Sequence, residues 1–266
     1  MPIITLTTDF GYTDPFVGIM KGVILRITPN TQIVDLSHGI APQDIRAAAL
    51  TLAASVDSFP EGTIHVAVVD PGVGSERQAI LIESANHYFV GPDNGVLSFA
   101  LQGKASARIV DLSNETYHLQ PKSGTFHGRD VFAPVAAHLA HGVPLGEFGA
   151  SLQDCVRLRW PPIDHAGDSI LGEILYIDRF GNLFTNIRER DLMSVARERI
   201  RVRFREINIL GLSPNYAAGQ SKGFIALINS WGMVEIAMFK GNAASQTAAQ
   251  IGDKVKIDLA LNPMPT

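Results

Sequence analysis

The stretch that decides the fold is residues 68–77, Val-Val-Asp-Pro-Gly-Val-Gly-Ser-Glu-Arg, in which an apolar strand ends in an acid, two glycines and a base. Proline disfavours helical geometry in the residue before it, so Asp70 is predicted to lie extended at the carboxyl end of the strand. In an open α/β sheet, ligands bind at that edge. The glycines permit a tight turn, which allows Arg77 to turn back toward Asp70. The stretch therefore predicts an acid and a permanent cation at one point, either in a site or as an ion pair across a surface turn.

The residues before this stretch alternate between strand and helix patterns. Strands are predicted at 2–8, 32–36 and 63–69, and helices at 15–27 and 42–59. This order is typical of a parallel sheet with crossover helices. We therefore predict an α/β fold whose N-terminal domain, residues 1–150, is Rossmann-like with a mostly parallel sheet.

The pattern changes in the second half of the chain. Helical spacing largely disappears after a predicted connector, residues 151–168, which contains Trp160-Pro161-Pro162. Short apolar runs follow, separated by glycine, asparagine and aspartate. Such runs predict a small all-β barrel or sandwich, and we assign residues 169–266 to a C-terminal β-barrel domain.

Composition narrows the class of protein. The 266 residues are 46% hydrophobic and 18% charged, which is enough to bury a large core. A formal net charge of −4 supplies no basic surface, so neither nucleic acid nor a membrane is expected as a partner. The single cysteine, Cys155, excludes an intramolecular disulfide. The N-terminus lacks the pattern of a signal peptide, so we expect a cytoplasmic protein with a small-molecule ligand.

Polar residues recur at predicted strand ends in the N-terminal half. Asp9 and Asp14 follow the first strand, Asp70 and Arg77 follow the third, and His127 precedes a later helix. These connections return to one sheet edge, so the five side chains can converge. A lone histidine is usually an ordinary surface or core residue, so His127 is a candidate only together with the others.

Motifs for common cofactors are missing from the sequence. Residues 72–74, Gly-Val-Gly, lack the third glycine of the dinucleotide fingerprint, and no Gly-Lys-Ser or Gly-Lys-Thr follows. His138 and His141 can share a helix face but have no third ligand nearby. We therefore expect neither a bound cofactor nor a metal ion.

A second candidate segment is residues 178–186, Asp-Arg-Phe-Gly-Asn-Leu-Phe-Thr-Asn. Asn182 has a donor and an acceptor that suit a purine edge, and Phe180 and Phe184 offer stacking faces. The alternative is a tight turn in which Asp178 and Asn182 are turn formers and both rings lie in the core. The residues alone favour neither interpretation.

Six ordered stretches together resemble the S-adenosylmethionine (SAM) hydroxide adenosyltransferases, adenosine-forming SAM hydrolases related to fluorinases and chlorinases. They span nearly the whole chain and read TDFGYTDPFVGIMKGV at 8–23, DPGVGSER at 70–77, GPDNG at 91–95, FHGRD at 126–130, DRFGNLFTNI at 178–187 and NSWG at 229–232. The resemblance implies an N-terminal α/β domain, a C-terminal β-barrel domain and a homotrimer with sites between subunits.

The resemblance also implies a catalytic set of Asp70, Arg77 and His127. It places Asp9 on the ribose hydroxyls and Asp14 near the methionine end of SAM. The remaining implied substrate contacts are Asp178 with Ser230 at the methionine ammonium, Phe180 and Phe184 at adenine, and Asn182 with the backbone near Ala243 at the adenine edge. Trp231 stands where the halogenase branch has arginine, which leaves open how the methionine carboxylate is held.

The function that these residues imply is hydrolysis of SAM to adenosine and L-methionine. The sulfonium makes a neutral thioether the leaving group, so what the enzyme must supply is an in-line water or hydroxide at C5′. SAM is then the substrate, and neither a cofactor nor a metal is required. One alternative is a halogenase that uses chloride or fluoride at the same carbon. Another is a protein that binds SAM or adenosine without turning it over.

Overall fold

The computed structural model describes residues 1–101, 107–192, 195–221 and 223–259, and they form two compact units, Met1–Leu158 and Arg159–Thr266. The division lies within the predicted connector. Residues 260–266, the end of the predicted second domain, lie outside the described residues. No described helix is long and apolar enough to cross a membrane.

The first unit is a mixed sheet with helices on both faces. Its strands are β1 (Ile3–Thr8), β2 (Gln32–Ser37), β3 (Ile64–Val68), β4 (Ala79–Ser84), β5 (His87–Pro92), β6 (Ala107–Asp111) and β7 (Ser151–Leu152). Its helices are α1 (Phe16–Ile27), α2 (Ile45–Ser55) and α3 (Ala133–Ala140), and a π-helical turn at Gly128–Phe132 leads into α3.

The strand order in this sheet is β2-β1-β3-β5-β4-β6-β7. The pairs β1/β2, β1/β3 and β3/β5 are parallel, while β4 runs antiparallel to both β5 and β6. Five of the strands therefore run in one direction, which confirms a mostly parallel sheet. The narrower Rossmann-like assignment stays a prediction.

The order also fixes where a ligand is expected. The strand β1 lies between β2 and β3, so the chain crosses over in opposite directions on either side of it. In open α/β sheets, this reversal opens a crevice at the carboxyl ends of the two central strands. All five residues of β3 are buried, as expected for a strand covered on both faces.

The second unit is an antiparallel, barrel-like sheet. Its elements are β8 (Asp164–Ala166), β9 (Ser169–Ile177), β10 (Leu183–Arg188), β11 (Arg201–Phe204), β12 (Ile207–Leu210), β13 (Phe224–Ile228), β14 (Met233–Met238), α4 (Ala243–Thr247) and β15 (Lys254–Asp258). The order is β12-β11-β15-β9-β10-β14-β13, with β8 beside β9. A bridge between Leu212 and Ala226 brings the two ends of the sheet together, so the barrel is nearly closed.

Alternation along the strands fills the interior of this barrel. Val234 and Ile236 of β14 are fully buried in an apolar cluster that also contains Val202 and Ile257. Glu235, between the first two, therefore projects from the other face of β14.

Candidate active site

A cavity of about 450 Å³ opens at the carboxyl ends of β1 and β3, where the topology predicts a crevice. We call it the sheet-edge cavity. It is lined by Asp9, Phe10, Phe16, Pro42, Gln43, Val68, Asp70, Pro71, Val73, Thr125, Phe126, His127 and Gly128. Of the five N-terminal residues predicted for substrate binding or catalysis, three line this cavity: Asp9, Asp70 and His127.

Asp70, Arg77 and His127 form one hydrogen-bonded set. Arg77 Nε lies 3.0 Å from each carboxylate oxygen of Asp70, and Arg77 Nη2 also donates to Asp70 Oδ2. The same Nη2 lies 2.8 Å from Nδ1 of His127. The Asp70 and Arg77 side chains are only 5% and 10% exposed, so the alternative of an ion pair on the surface is wrong.

Glycine at position 74 allows the turn to bring Arg77 back to Asp70. Gly74 has φ +77°, and a Cβ there would lie 2.3 Å from the carbonyl oxygen of Gly124. The hydroxyl of Ser75 donates to the Gly72 carbonyl at 2.7 Å and closes the turn. The turn thus packs directly on the segment that leads to His127.

The contact with Arg77 fixes the tautomer of His127. A guanidinium has only donors, so Nδ1 of His127 must accept, and the neutral ring carries its proton on Nε2. Burial lowers the pKa of His127 below its ordinary value of 6.5, and the charge of Arg77 adds to that effect. Neutral His127 therefore offers an Nε2–H donor to a ligand or a water molecule.

The two acids that follow β1 lie in different surroundings. Asp9 lines the sheet-edge cavity, and its Oδ2 accepts from the backbone N–H of Gln43 at 2.8 Å. Asp14 is exposed in the turn before α1 and is not among the lining residues. Its place near the methionine end of a substrate stays a prediction.

Sequence reasoning did not identify the aromatic wall of this cavity. The ring of Phe126 lies 5.9 Å from that of Phe10 and 5.3 Å from that of Phe16, centroid to centroid. Phe10 directly follows Asp9, and Phe126 directly precedes His127. Their position next to candidate site residues could have indicated that both rings lie near the site. The wall keeps one side of the cavity apolar.

The second unit holds a cavity of about 430 Å³, which we call the barrel pocket. It is lined by Asp178, Phe180, Asn182, Phe184, Tyr216, Asn229, Ser230, Glu235, Met238, Lys240 and Gly241. Five of the residues predicted for adenine and methionine contacts are in this lining. Trp231 is not among them, but its ring lies 5.0 Å from that of Phe184.

Asp178 and Asn182 are turn formers as well as lining residues. Asp178 Oδ1 accepts from the backbone N–H groups of Phe180 and Asn182 at 2.9 and 2.8 Å, and Oδ2 accepts from Asn182 Nδ2 at 2.9 Å. Phe184 is 7% exposed and Phe180 is 74% exposed, so the alternative with both rings in the core is wrong. The Phe180 ring is available to a ligand.

The turn at 178–182 packs on the start of α4, which brings it to Ala243. The carbonyl of Gly181 accepts from the backbone N–H of Ala244 at 2.9 Å. A Cβ at Gly181 would lie 2.0 Å from Oδ1 of Asn242, the residue that caps α4. The structure therefore brings Asn182 and the backbone near Ala243 to one place, as the resemblance implies.

Glu235 is a pocket residue that sequence reasoning missed. It is fully buried, and its Oε1 accepts from the Tyr216 hydroxyl at 2.8 Å. Burial, reinforced by the charge of Asp178, raises the pKa of Glu235 to about 7, while the hydrogen bond from Tyr216 and the nearby amide of Asn229 oppose the rise. Across the part of the chain that the structure describes, no group of three or more His, Cys, Asp or Glu side chains is placed to hold a metal ion.

Two family models together match most of this chain. The family models for the SAM hydroxide adenosyltransferase N-terminal and C-terminal domains match residues 4–149 and 172–256. A protein of Salinispora arenicola named (R)-S-adenosyl-L-methionine hydrolase is 38% identical, over 96% of this chain and 97% of its own. A fluorinase of Actinoplanes sp. is 29% identical, over 89% of this chain and 90% of its own.

A solved structure agrees with the sequence matches. The crystal structure of an uncharacterized conserved protein from Thermotoga maritima superposes with a TM-score of 0.89 at 34% identity, and the match covers 97% of this chain and 100% of that one. With both halves matched in order by the two family models, this chain belongs to the SAM hydroxide adenosyltransferase family.

Proposed function

We propose that this chain hydrolyses SAM to adenosine and L-methionine. The observation that carries the proposal is the hydrogen-bonded set of Asp70, Arg77 and His127, of which Asp70 and His127 line the sheet-edge cavity and Arg77 contacts both. Greater identity to a protein named as a SAM hydrolase than to one named as a fluorinase supports hydrolysis over halogenation.

We infer a different role for each of the three side chains. Arg77, whose charge is permanent, stabilises the negative charge that develops on the attacking oxygen. His127 Nδ1 is occupied by Arg77, so Nε2–H orients the water by donating to its oxygen. Asp70 then accepts the water proton as the oxygen attacks C5′. The C5′–S bond breaks with its electron pair going to sulfur, which leaves as the neutral thioether of methionine.

The barrel pocket supplies the proposed substrate contacts. The exposed ring of Phe180 and the edge of Phe184 flank adenine, and Asn182 with the backbone near Ala243 reads the adenine edge. Ser230 and Asp178 lie at the amino-acid end of SAM, and Asp9 in the sheet-edge cavity holds the ribose hydroxyls. Since the Salinispora relative is named for the (R) sulfonium epimer, we propose that epimer as the preferred substrate.

The assembly is also part of the proposal. The family resemblance supports a homotrimer whose sites lie between subunits, and mass photometry of the purified protein tests the subunit number. The cytoplasmic location stays a prediction.

One labelling experiment tests the function. The purified protein is incubated with the (R) and (S) epimers of SAM in oxygen-18 water, with and without chloride or fluoride, and the products are weighed by mass spectrometry. Label in the 5′-hydroxyl of adenosine supports hydrolysis. A 5′-halogenated nucleoside indicates the halogenase, and unchanged but bound SAM indicates a non-catalytic binder.

Matched variants connect that activity to the proposed set. Arg77→Lys and His127→Asn are each expected to lower kcat by at least about 100-fold, since each removes a positioned donor. Arg108→Lys is the control, because Arg108 is 70% exposed and pairs with Glu83 at 2.8 Å. Full activity in both site variants would contradict the assignment.

A further inference from the structure

The acid that the resemblance places at the ligand's ammonium is already engaged within its own turn. Asp178 accepts three hydrogen bonds, from Phe180, Asn182 and the Asn182 side chain, with both of its oxygens. A carboxylate used in this way keeps only part of its accepting capacity for a ligand. The barrel pocket contains one further acid, Glu235.

Glu235 is the carboxyl group with an unused oxygen. Its Oε1 is held by the Tyr216 hydroxyl, but its buried Oε2 has no hydrogen-bond partner. Glu235 pairs across the sheet with Phe184, so it shares a face with the pocket ring rather than with the barrel core. A fully buried carboxylate oxygen without a partner is unfavourable, so either a proton or a cation must compensate for it.

No described side chain supplies that cation. The groups that face Glu235 are Asp178 from the turn after β9, Tyr216 from the segment before β13, and Asn229 at the end of β13. The amide of Asn229 favours the charged form of Glu235, but its Nδ2 does not reach Oε2 with hydrogen-bond geometry. Lys240 after β14 also lines the pocket, yet it is exposed and its ammonium lies over the ring of Phe239, 5.5 Å from the centroid.

We propose that Glu235 binds a primary ammonium group of the ligand in the barrel pocket and releases its own proton to solvent as that group enters. The proposal rests on the proposed function, in which the ammonium is the α-ammonium of SAM. The neutral acid and the ligand cation become a carboxylate–ammonium pair, and one proton leaves. Glu235 would then be a specificity-determining residue that selects ligands carrying an amino group.

The raised pKa of Glu235, about 7, sets the pH range of the effect. Well below that value, binding must remove a proton, so affinity falls by up to about tenfold for each pH unit. Above it, Glu235 is already ionised and affinity no longer depends on this group. As the pH rises from acidic values, the affinity for a ligand that carries an ammonium group is therefore expected to increase and then to level off near neutral pH.

Calorimetry with two stable ligands tests the proposal. S-adenosyl-L-homocysteine carries the ammonium but has no sulfonium, and 5′-methylthioadenosine lacks the amino acid altogether. Each is titrated near pH 6 and near pH 8.5 in two buffers that differ in ionisation enthalpy. We expect S-adenosyl-L-homocysteine to release about one proton near pH 6 and almost none near pH 8.5. We expect 5′-methylthioadenosine to release none at either pH.

Two variants separate charge from shape. Glu235→Gln keeps an acceptor for Tyr216 but cannot ionise, so proton release should disappear and affinity near pH 8 should fall by at least about tenfold. Tyr216→Phe removes a hydrogen bond that favours the ionised acid, so the midpoint of proton release should move to higher pH. A purely structural role for Glu235 would not move that midpoint. Glu173→Gln is the control, because Glu173 pairs with Lys254 at 2.7 Å outside the pocket.

Three results would overturn the proposal: no proton release by the wild type near pH 6, unchanged release in Glu235→Gln, or equal affinity for the two ligands. None of them depends on turnover. Hydrolysis without proton release would remove the role of Glu235 alone, while proton release without any labelled adenosine would remove the hydrolase assignment alone.

Discussion

Replacing Glu235 by glutamine should make the stability of the second unit less dependent on pH. In the folded chain the pKa of Glu235 is raised from its ordinary value of 4.5 to about 7, chiefly by burial. An acid with a raised pKa stabilises the folded state below pH 4.5, and this contribution is lost as pH rises through the folded value. Glutamine is neutral at every pH, so it makes no pH-dependent contribution to stability.

The size of the effect follows from the interval between the two pKa values. Each pH unit corresponds to about 1.4 kcal/mol, so the interval from 4.5 to about 7 corresponds to about 3 kcal/mol. The free energy of unfolding of the wild type should therefore fall by about 3 kcal/mol relative to Glu235→Gln between about pH 4.5 and pH 8. Other titrating groups contribute equally to both proteins and cancel in the difference.

The chain provides its own optical probe for this measurement. Both of its tryptophans, Trp160 and Trp231, lie in the second unit. Urea unfolding followed by tryptophan fluorescence therefore reports on that unit, and the midpoint and slope give the free energy at each pH. A difference that stays constant within about 0.5 kcal/mol over this range would refute the reasoning, because burial would then not be holding Glu235 neutral.

Three further predictions follow from the first unit and from the α4 cap. Because the pKa of His127 is lowered, the acid limb of kcat, measured at saturating SAM so that Glu235 is already paired, should lie below pH 6.5 and be absent in the pH-rate profile of His127→Asn. Gly74→Ala should destabilise the first unit by about 2 kcal/mol or more in urea unfolding followed by circular dichroism, through positive φ and the clash with a backbone carbonyl. Its control, Gly22→Ala in an exposed and unobstructed part of α1, should stabilise by about 0.5–1 kcal/mol. Asn242→Ala removes the α4 cap, which should cost about 1 kcal/mol and weaken adenosine binding measured by calorimetry, whereas unchanged binding would separate the cap from the ligand site.

The sequence could predict contacts that are close along the chain. Asp70 and Arg77 are seven positions apart and meet because the two glycines between them permit a tight turn, so each step of that inference is local. His127 is 50 residues from Arg77, so its place followed from the rule that strand ends share an edge and from the family resemblance. Asp14 shows the limit of that rule, because it follows the same strand as Asp9 but is exposed and outside the cavity lining.

Glu235 could not be found by the same means. A glutamate between Val234 and Ile236 has the alternation of a strand with one face in solvent, which is how such a pattern is ordinarily interpreted. That face of β14 is instead covered by the segment that carries Tyr216, and the covering depends on tertiary packing. Periodicity identifies which face a residue occupies but not what lies over that face.

The two buried acids, Asp70 and Glu235, differ in where their counter-charge comes from. Asp70 has Arg77 built into the same turn, so its partner is present whether or not a ligand is bound. Glu235 has a neutral donor on one oxygen and nothing on the other. A fixed partner suits groups that must be positioned before the reaction, because no reorganisation is then needed at the reacting atoms. A missing partner suits recognition, because only a ligand that brings the cation can complete the site, and a ligand without it leaves the acid uncompensated.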